Sequence, residues 1–198
     1  MSRVICSVCK RAEKVCLCPL ITPINNRVEL GILQHPNEVA QVKGTAKIAQ
    51  LSFQKVNSWV GESLDDLPTL QWWLKGTTPI FLLYPNIEGQ KETFQSFPVS
   101  ELTALFGSNL KILVLDGTWR KTHKMMQLNS GLRALNRVTL TPQIPSNYQI
   151  RKQKNNASLS TIEAVYEVYS QLENSAEKYQ PLLNAFEAMQ AQHLSFRP

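Results

Sequence analysis

Asp116 closes the apolar run Lys111-Ile112-Leu113-Val114-Leu115, and Gly117, Thr118 and Trp119 follow before a basic stretch begins. A carboxylate placed there can take a proton from a substrate or orient an amide, and a neighbouring indole can stack on a base or an adenine ring. A plainer arrangement fits the same residues: Asp116 caps the helix that starts at Trp119, and the indole is a core aromatic. A second group is Gln34-His35-Pro36-Asn37-Glu38. Here His35 can carry a proton, with Glu38 as its partner or as a ligand for a substrate amine. The alternative is a histidine satisfied at a turn. In a third group, Leu159-Ser160-Thr161-Ile162-Glu163-Ala164, the helix start at Ser160 and Thr161 offers backbone N–H groups. Those groups suit a carboxylate or a phosphate, or the segment is an ordinary capped helix. His35, His123 and His193 are the only histidines and lack zinc-protease spacing. No phosphate loop, dinucleotide fingerprint or nucleophile elbow is present in the sequence.

Cys6, Cys9, Cys16 and Cys18 form a C-x2-C-x6-C-x-C array. Two close pairs of thiolates suit tetrahedral zinc bound by four sulfurs, although the second pair is tighter than the usual CxxC. With four protein ligands such a site has no open position, so its expected role is structural. Disulfides and independent buried thiols are the alternatives, but the chain reads as cytoplasmic, where disulfides are rare, and four unrelated thiols would hardly crowd into one short Lys-rich segment. The start of the sequence lacks the long apolar region of a secretory signal, and no apolar run is long enough to cross a bilayer.

The 198 residues suit one domain of ordinary size, and 43% apolar content fills a sizeable core without staples. The net charge is +6 and the isoelectric point about 9.2, which favours polyanionic partners. Arg120, Lys121 and Lys124 share one helix, Arg133 and Arg137 follow, and Arg151, Lys152 and Lys154 form a second cluster. The charge is therefore concentrated beside Asp116.

The elements that must position these groups alternate. Pro19 to Asn26 reads as a linker, and Arg27 to Gln34 as a strand ending at His35-Pro36. Thr45 to Lys55 reads as a helix, Leu67 to Leu74 as a short helix or turn, and Thr78 to Tyr84 as a buried strand. A helix over Val99 to Phe106, the strand Lys111 to Leu115, a helix over Trp119 to Leu128 and a strand over Arg137 to Leu140 follow. Ser160 with Glu163 is a capping-box pair, opening a helix to about Leu172. A last helix spans Ala176 to about His193, with Pro181 expected to disturb its first turns. This alternation implies an α/β fold with a mostly parallel sheet and helices on both faces. Residues 1–26 are expected to form a zinc knuckle and linker, and 27–198 the α/β domain. In such sheets ligands sit outside the carboxyl ends of the strands, where Asp116 falls.

Taken together, these pieces resemble the DTW-domain family of tRNA-uridine aminocarboxypropyltransferases. The resemblance is carried by the cysteine array, Gln34-His35-Pro36 with Glu38 and Thr45, and Tyr84-Pro85. It continues through Asp116-Gly117-Thr118-Trp119, Arg151-Lys152 and Leu159-Ser160-Thr161-Ile162-Glu163-Ala164. One departure is Lys154, where the family pattern has proline. The resemblance implies a SPOUT-like, knotted fold and transfer of the 3-amino-3-carboxypropyl group of S-adenosylmethionine to N3 of a tRNA uridine. The products are acp3U and 5′-methylthioadenosine.

On that reading Asp116 and Trp119 are the catalytic pair. The donor lies among Leu115, Gly117, Thr118, Leu140, Thr141, Tyr148, Leu159, Ser160 and Thr161. Gln34, His35, Glu38, Arg120, Lys121, Lys124, Arg151 and Lys152 hold tRNA. Structural zinc and tRNA are the expected partners, with no membrane and no obligate protein partner. Two other readings stay open: a SPOUT-type RNA methyltransferase using the same donor, and a zinc-dependent RNA-binding protein without catalysis.

Overall fold

The computed structural model describes residues 4–86, 94–142, 145–147 and 159–195. Its six strands are β1 (Glu29–Gln34), β2 (Val56–Val60), β3 (Ile80–Leu83), β4 (Ser96–Pro98), β5 (Lys111–Asp116) and β6 (Asn136–Thr139). They form one sheet in the order β2-β1-β5-β3-β6-β4, and every neighbouring pair is parallel. The helices are α1 (Pro36–Val39), α2 (Ala46–Ser52), α3 (Pro68–Leu74) and α4 (Val99–Phe106), then α5 (Trp119–Leu128), α6 (Ser130–Arg133), α7 (Thr161–Leu172) and α8 (Ala176–Leu194).

Strand residues alternate between two cores, as the pleat requires. Leu30, Ile32, Phe81, Ile112, Val114 and Val138 pack with Ile48 of α2, Leu102 of α4, Val165 of α7 and Phe186 of α8. Leu33, Leu82, Leu113 and Leu115 pack on the other side with Leu70 and Trp73 of α3, Met125 and Met126 of α5, and Leu132 of α6. The sheet is thus covered on both faces, which explains the near-continuous apolar runs of its central strands. At Gly31 a Cβ would meet the Trp73 ring at 2.8 Å, so only glycine lets that indole lie against β1.

The connections create a crevice at one place. From β1 the chain passes through α2 on one face and reaches β2 at the near edge. From β5 it passes through α5 and α6 on the opposite face and reaches β6 beyond β3. Adjacent strands whose connections diverge in this way leave room outside their carboxyl ends. In register, those ends are Gln34 and Asp116. The strand order fixes the layers; the knot implied by the resemblance concerns how the chain threads, a separate property.

Several expectations shift by a few residues or more. The helix expected over Thr45 to Lys55 stops at Ser52, and β2 follows it. The edge strand β4 and the short helices α1 and α6 were not legible in the sequence. Pro181 lies inside α8, which runs on through it to Leu194. Burying Leu182, Ala185, Phe186 and Met189 outweighs the roughly 3 kcal/mol that an interior proline costs. The segment Pro19 to Asn26 is not a loose tether. Cys9, Leu17 and Ile24 belong to the same core as α7 and α8. Asn26 is fully buried, donating to the carbonyls of Val28 (2.7 Å) and Lys55 (2.9 Å) and accepting from Lys55 N–H (3.0 Å). Residue 26 therefore marks no break in the packing.

Candidate functional site

Asp116 and Gln34 end neighbouring parallel strands on the same face, so their side chains meet. Gln34 Nε2 donates to Asp116 Oδ2 at 2.7 Å, and Thr161 Oγ1, from the first turn of α7, donates to Asp116 Oδ1 at 2.6 Å. Asp116 is 6% exposed. An amide and a hydroxyl drawn from two other elements help to fix its carboxylate. It does not cap α5, whose first position is preceded by Thr118 with no side-chain cap bond. Leu115, by the same alternation, turns into the opposite core beneath α5.

Gly117 is the hinge between strand and helix. A Cβ there would sit 3.3 Å from both Lys121 Cβ and Thr122 Cγ2 and 3.6 Å from His35 Cβ. Its bareness lets α5 start tight against the β1 terminus. Trp119 is 58% exposed, not a core aromatic, and stacks on Tyr84 at 5.3 Å with 7° between the planes. Tyr84 is buried and follows β3, so one indole face is backed by a fixed ring. A flat base can stack on such a shelf.

His35 is satisfied by its surroundings. Its Nδ1 accepts from Asn37 N–H at 3.1 Å as the cap of α1, and Nε2 meets Glu62 Oε1 at 2.5 Å. With Nδ1 accepting, the proton sits on Nε2 and donates to Glu62. Lys124 Nζ clamps the same carboxylate at 2.8 and 3.1 Å, and Glu62 is held below its usual value, chiefly by Lys124 and then by His35. Glu38 pairs with Lys121 (2.7 Å) instead of His35. A cavity of about 840 Å³ lies over these groups, lined by His35, Glu62, Thr118, Arg120, Lys121, His123 and Lys124. Arg120 is exposed and has no hydrogen bond or ion pair among the described residues. Lys124 is the exposed partner of its pair with Glu62, and a pair open to solvent on that side is worth little, so an incoming phosphate can draw the lysine away.

Two members of the expected basic cluster do other work. Arg133 Nη1 donates to the carbonyls of Met126 and Gln127 at the end of α5. Arg137 is 2% exposed and donates to the carbonyls of Leu132 (3.1 Å), Leu135 (2.7 Å) and Arg133 (3.3 Å). These are structural cations.

At the start of α7 the capping box is formed. Glu163 N–H donates to Ser160 Oγ, and Glu163 Oε2 accepts from Ser160 N–H at 2.7 Å. Glu163 Oε1 also accepts from Asn147 N–H at 2.7 Å, and Ile162 N–H donates to Thr45 Oγ1 at 3.3 Å. Two first-turn donors are thus already used, and the Thr161 hydroxyl is turned to Asp116. Leu159 and Ser160 lead into this turn, while Leu140 and Thr141 follow β6 with Leu140 packed on the core and Thr141 exposed. Tyr148, Arg151 and Lys152 lie outside the described residues. Glu62 and His123 were missed in the sequence; the i, i+3, i+4 spacing of Arg120, His123 and Lys124 was the available signal for the latter.

The four cysteine sulfurs lie within 4.8 Å of one another, with Cys6–Cys18 and Cys9–Cys16 each at 3.7 Å. Tetrahedral zinc, with bonds of about 2.3 Å, sets its sulfurs about 3.8 Å apart, so the cluster fits that ion. Backbone N–H groups of Cys9 and Val8 hold the Cys6 thiol down at about 6. Burial and the neighbouring sulfurs push Cys18 up to about 12. The group is compatible with a closed structural site.

The DTW domain family matches residues 3–194. Among curated proteins, a tRNA-uridine aminocarboxypropyltransferase 2 of Macaca fascicularis is 32% identical over 199 residues, covering 95% of this chain and 64% of that protein. The Mus musculus protein of the same name is 29% identical over 198 residues, covering 95% and 64%. That of Drosophila melanogaster is 30% identical over 185 residues, covering 90% and 70%. The chain therefore spans just under two thirds of the length of the macaque and mouse relatives. No solved structure gives a significant match.

Proposed function

Because the chain belongs to the DTW domain family, we propose that it transfers the 3-amino-3-carboxypropyl group of S-adenosylmethionine to N3 of a tRNA uridine, forming acp3U. The observation that carries the reading is the buried Gln34–Asp116–Thr161 cluster at the carboxyl ends of two diverging parallel strands. The names of the relatives supply the reaction, and this cluster is where the chain has the means to perform it.

The donor's chemistry is that of a sulfonium whose attached carbon accepts a nucleophile as the C–S pair leaves on sulfur. The residues suited to hold it are those at the ends of β5 and β6 and the start of α7: Gly117, Thr118, Leu140, Thr141, Leu159, Ser160 and Thr161. What supports this reading is that β5 and β6 flank β3 in the parallel sheet and Thr161 is bonded to Asp116, an acidic group suited to face a cationic donor. Tyr148 belongs to the same proposal by its place in the sequence.

Asp116 then acts on the acceptor. Uridine N3 carries a proton that must leave as the new N–C bond forms, and the carboxylate receives it. Gln34 and Thr161 keep both oxygens aimed, so orientation contributes as much as basicity. Trp119, backed by Tyr84, stacks the unpaired base, since N3 lies on the edge used for pairing. Arg120 and Lys124, with Lys121, and with Arg151 and Lys152 by their sequence, grip the phosphates. The by-product tests the reaction class. With tRNA and S-adenosylmethionine present, release of 5′-methylthioadenosine supports aminocarboxypropyl transfer. Release of S-adenosylhomocysteine overturns it in favour of methylation. Binding of tRNA with neither product overturns catalysis altogether.

A further inference from the structure

A second cavity, of about 890 Å³, lies between the N-terminal cysteine loop and the chain joining α1 to α2. Lys10 and Lys14 stand on the cysteine-loop wall, Lys43 and Lys47 on the other. Exposed apolar side chains lie among them, Ile5 on one wall and Val42 on the other. Of the two acidic residues along the trough, Glu38 is already bound to Lys121, leaving Glu13. A trough with cations on both walls and apolar surface between them suits a strand with a charged backbone and flat bases. Gln34, the residue that donates to Asp116, is among its lining residues. One side chain, Gln34, thus links the lining of the trough to the carboxylate.

We infer that the acceptor strand of tRNA reaches Asp116 through this trough, with phosphates on Lys10, Lys14 and Lys47 and the uracil turned toward Gln34. The inference rests on the proposed transfer to uridine. Asp116 and Gln34 side by side present an acceptor and an amide donor, since Gln34 Nε2 has a second hydrogen beyond the one given to Asp116. Uracil presents the complement, an N3–H donor beside a carbonyl acceptor. Cytosine has an unprotonated N3 and does not match. The cysteine loop thus becomes a wall of the substrate site as well as a metal staple, and Gln34 becomes a specificity residue.

The test is a double variant, Lys14→Ala with Lys47→Ala, neither residue being a cysteine or part of the Asp116 cluster. Binding of an unmodified tRNA transcript is followed by fluorescence anisotropy from about 50 to 200 mM salt, without donor. The slope of log affinity against log salt should shrink by about 2, one for each phosphate contact removed. Zinc content and melting temperature should stay those of the wild type. The single variant Lys47→Glu, remote from the cysteines, should move affinity the same way, which keeps the result independent of the metal loop. An unchanged slope and affinity in both variants overturns the trough and leaves it to another occupant. If the wild type forms acp3U while the variants bind normally, the trough alone is wrong. If the wild type forms none, the proposed reaction is wrong and the salt slope still decides the trough.

Discussion

Replacing Asp116 by Asn separates what this carboxylate does for the fold from what it does for the chemistry. Asn keeps the volume of a side chain that is 6% exposed, but its amide then meets donors such as Gln34 Nε2 at 2.7 Å and Thr161 Oγ1 at 2.6 Å. The Gln34 amide can turn over and the Thr161 hydroxyl can rotate, so at these two contacts the net loss is one charge-assisted hydrogen bond. That is about 1.5–3 kcal/mol. For a chain of this size it lowers the melting temperature by roughly 3–12 °C. Loss of a general base costs about 10²–10⁴ in turnover, equivalent to about 3–5 kcal/mol of barrier. The assay pairs a thermal melt with turnover at saturating tRNA and S-adenosylmethionine, well below the transition. The expected variant is folded, binds tRNA with near wild-type affinity and is almost inactive. A variant that melts in the stated range yet turns over within about threefold of wild type refutes the proton-accepting role, because no transition-state interaction has then been lost.

Purified protein should carry one zinc per chain by elemental analysis, and Cys9→Ser should lose it and lower the melting temperature, since Cys9 packs in the main core. Arg120→Ala and Arg137→Met remove the same charge with opposite outcomes. The first should leave the melt unchanged and reduce the salt slope of tRNA binding by about 1. The second orphans three carbonyls and should cost about 3 kcal/mol, a fall of roughly 6–12 °C. The pH dependence of the Glu62 clamp follows from its direction of shift. A depressed folded value means its contribution is complete above the ordinary 4.5 and fades as pH falls through the lower, folded value. Lys124→Met should move the Glu62 carboxyl titration, read by NMR, back up toward 4.5; an unmoved titration contradicts Lys124 as the main cause.

The central strands were legible because burial on both faces leaves continuous apolar runs, as in β1 and β5, and such runs admit few other readings. The capping box at Ser160 and Glu163 was legible because its signal is local. The edge strands were not. In β2 Asn57 and Ser58 stand exposed, and β4 is three residues ending in proline, so their pairing is set by partners distant in sequence. Asp116 could be singled out by its place at a strand end, but its partners Gln34 and Thr161 could not. Gln34 and Thr161 are 82 and 45 residues away and meet it only through sheet register and the docking of α7. Glu62 lay in a loop without pattern, and the burial of Arg137 was invisible because a cation in sequence reads as surface.

The proposal is tested most directly by the nucleoside itself. Purified protein is incubated with tRNA and S-adenosylmethionine carrying isotope in its aminocarboxypropyl carbons, and the digested tRNA is read by mass spectrometry. The expected result is a uridine bearing the labelled group at N3, absent with Asp116→Asn. A methylated base without that label, or unmodified tRNA from protein that binds both substrates, contradicts it.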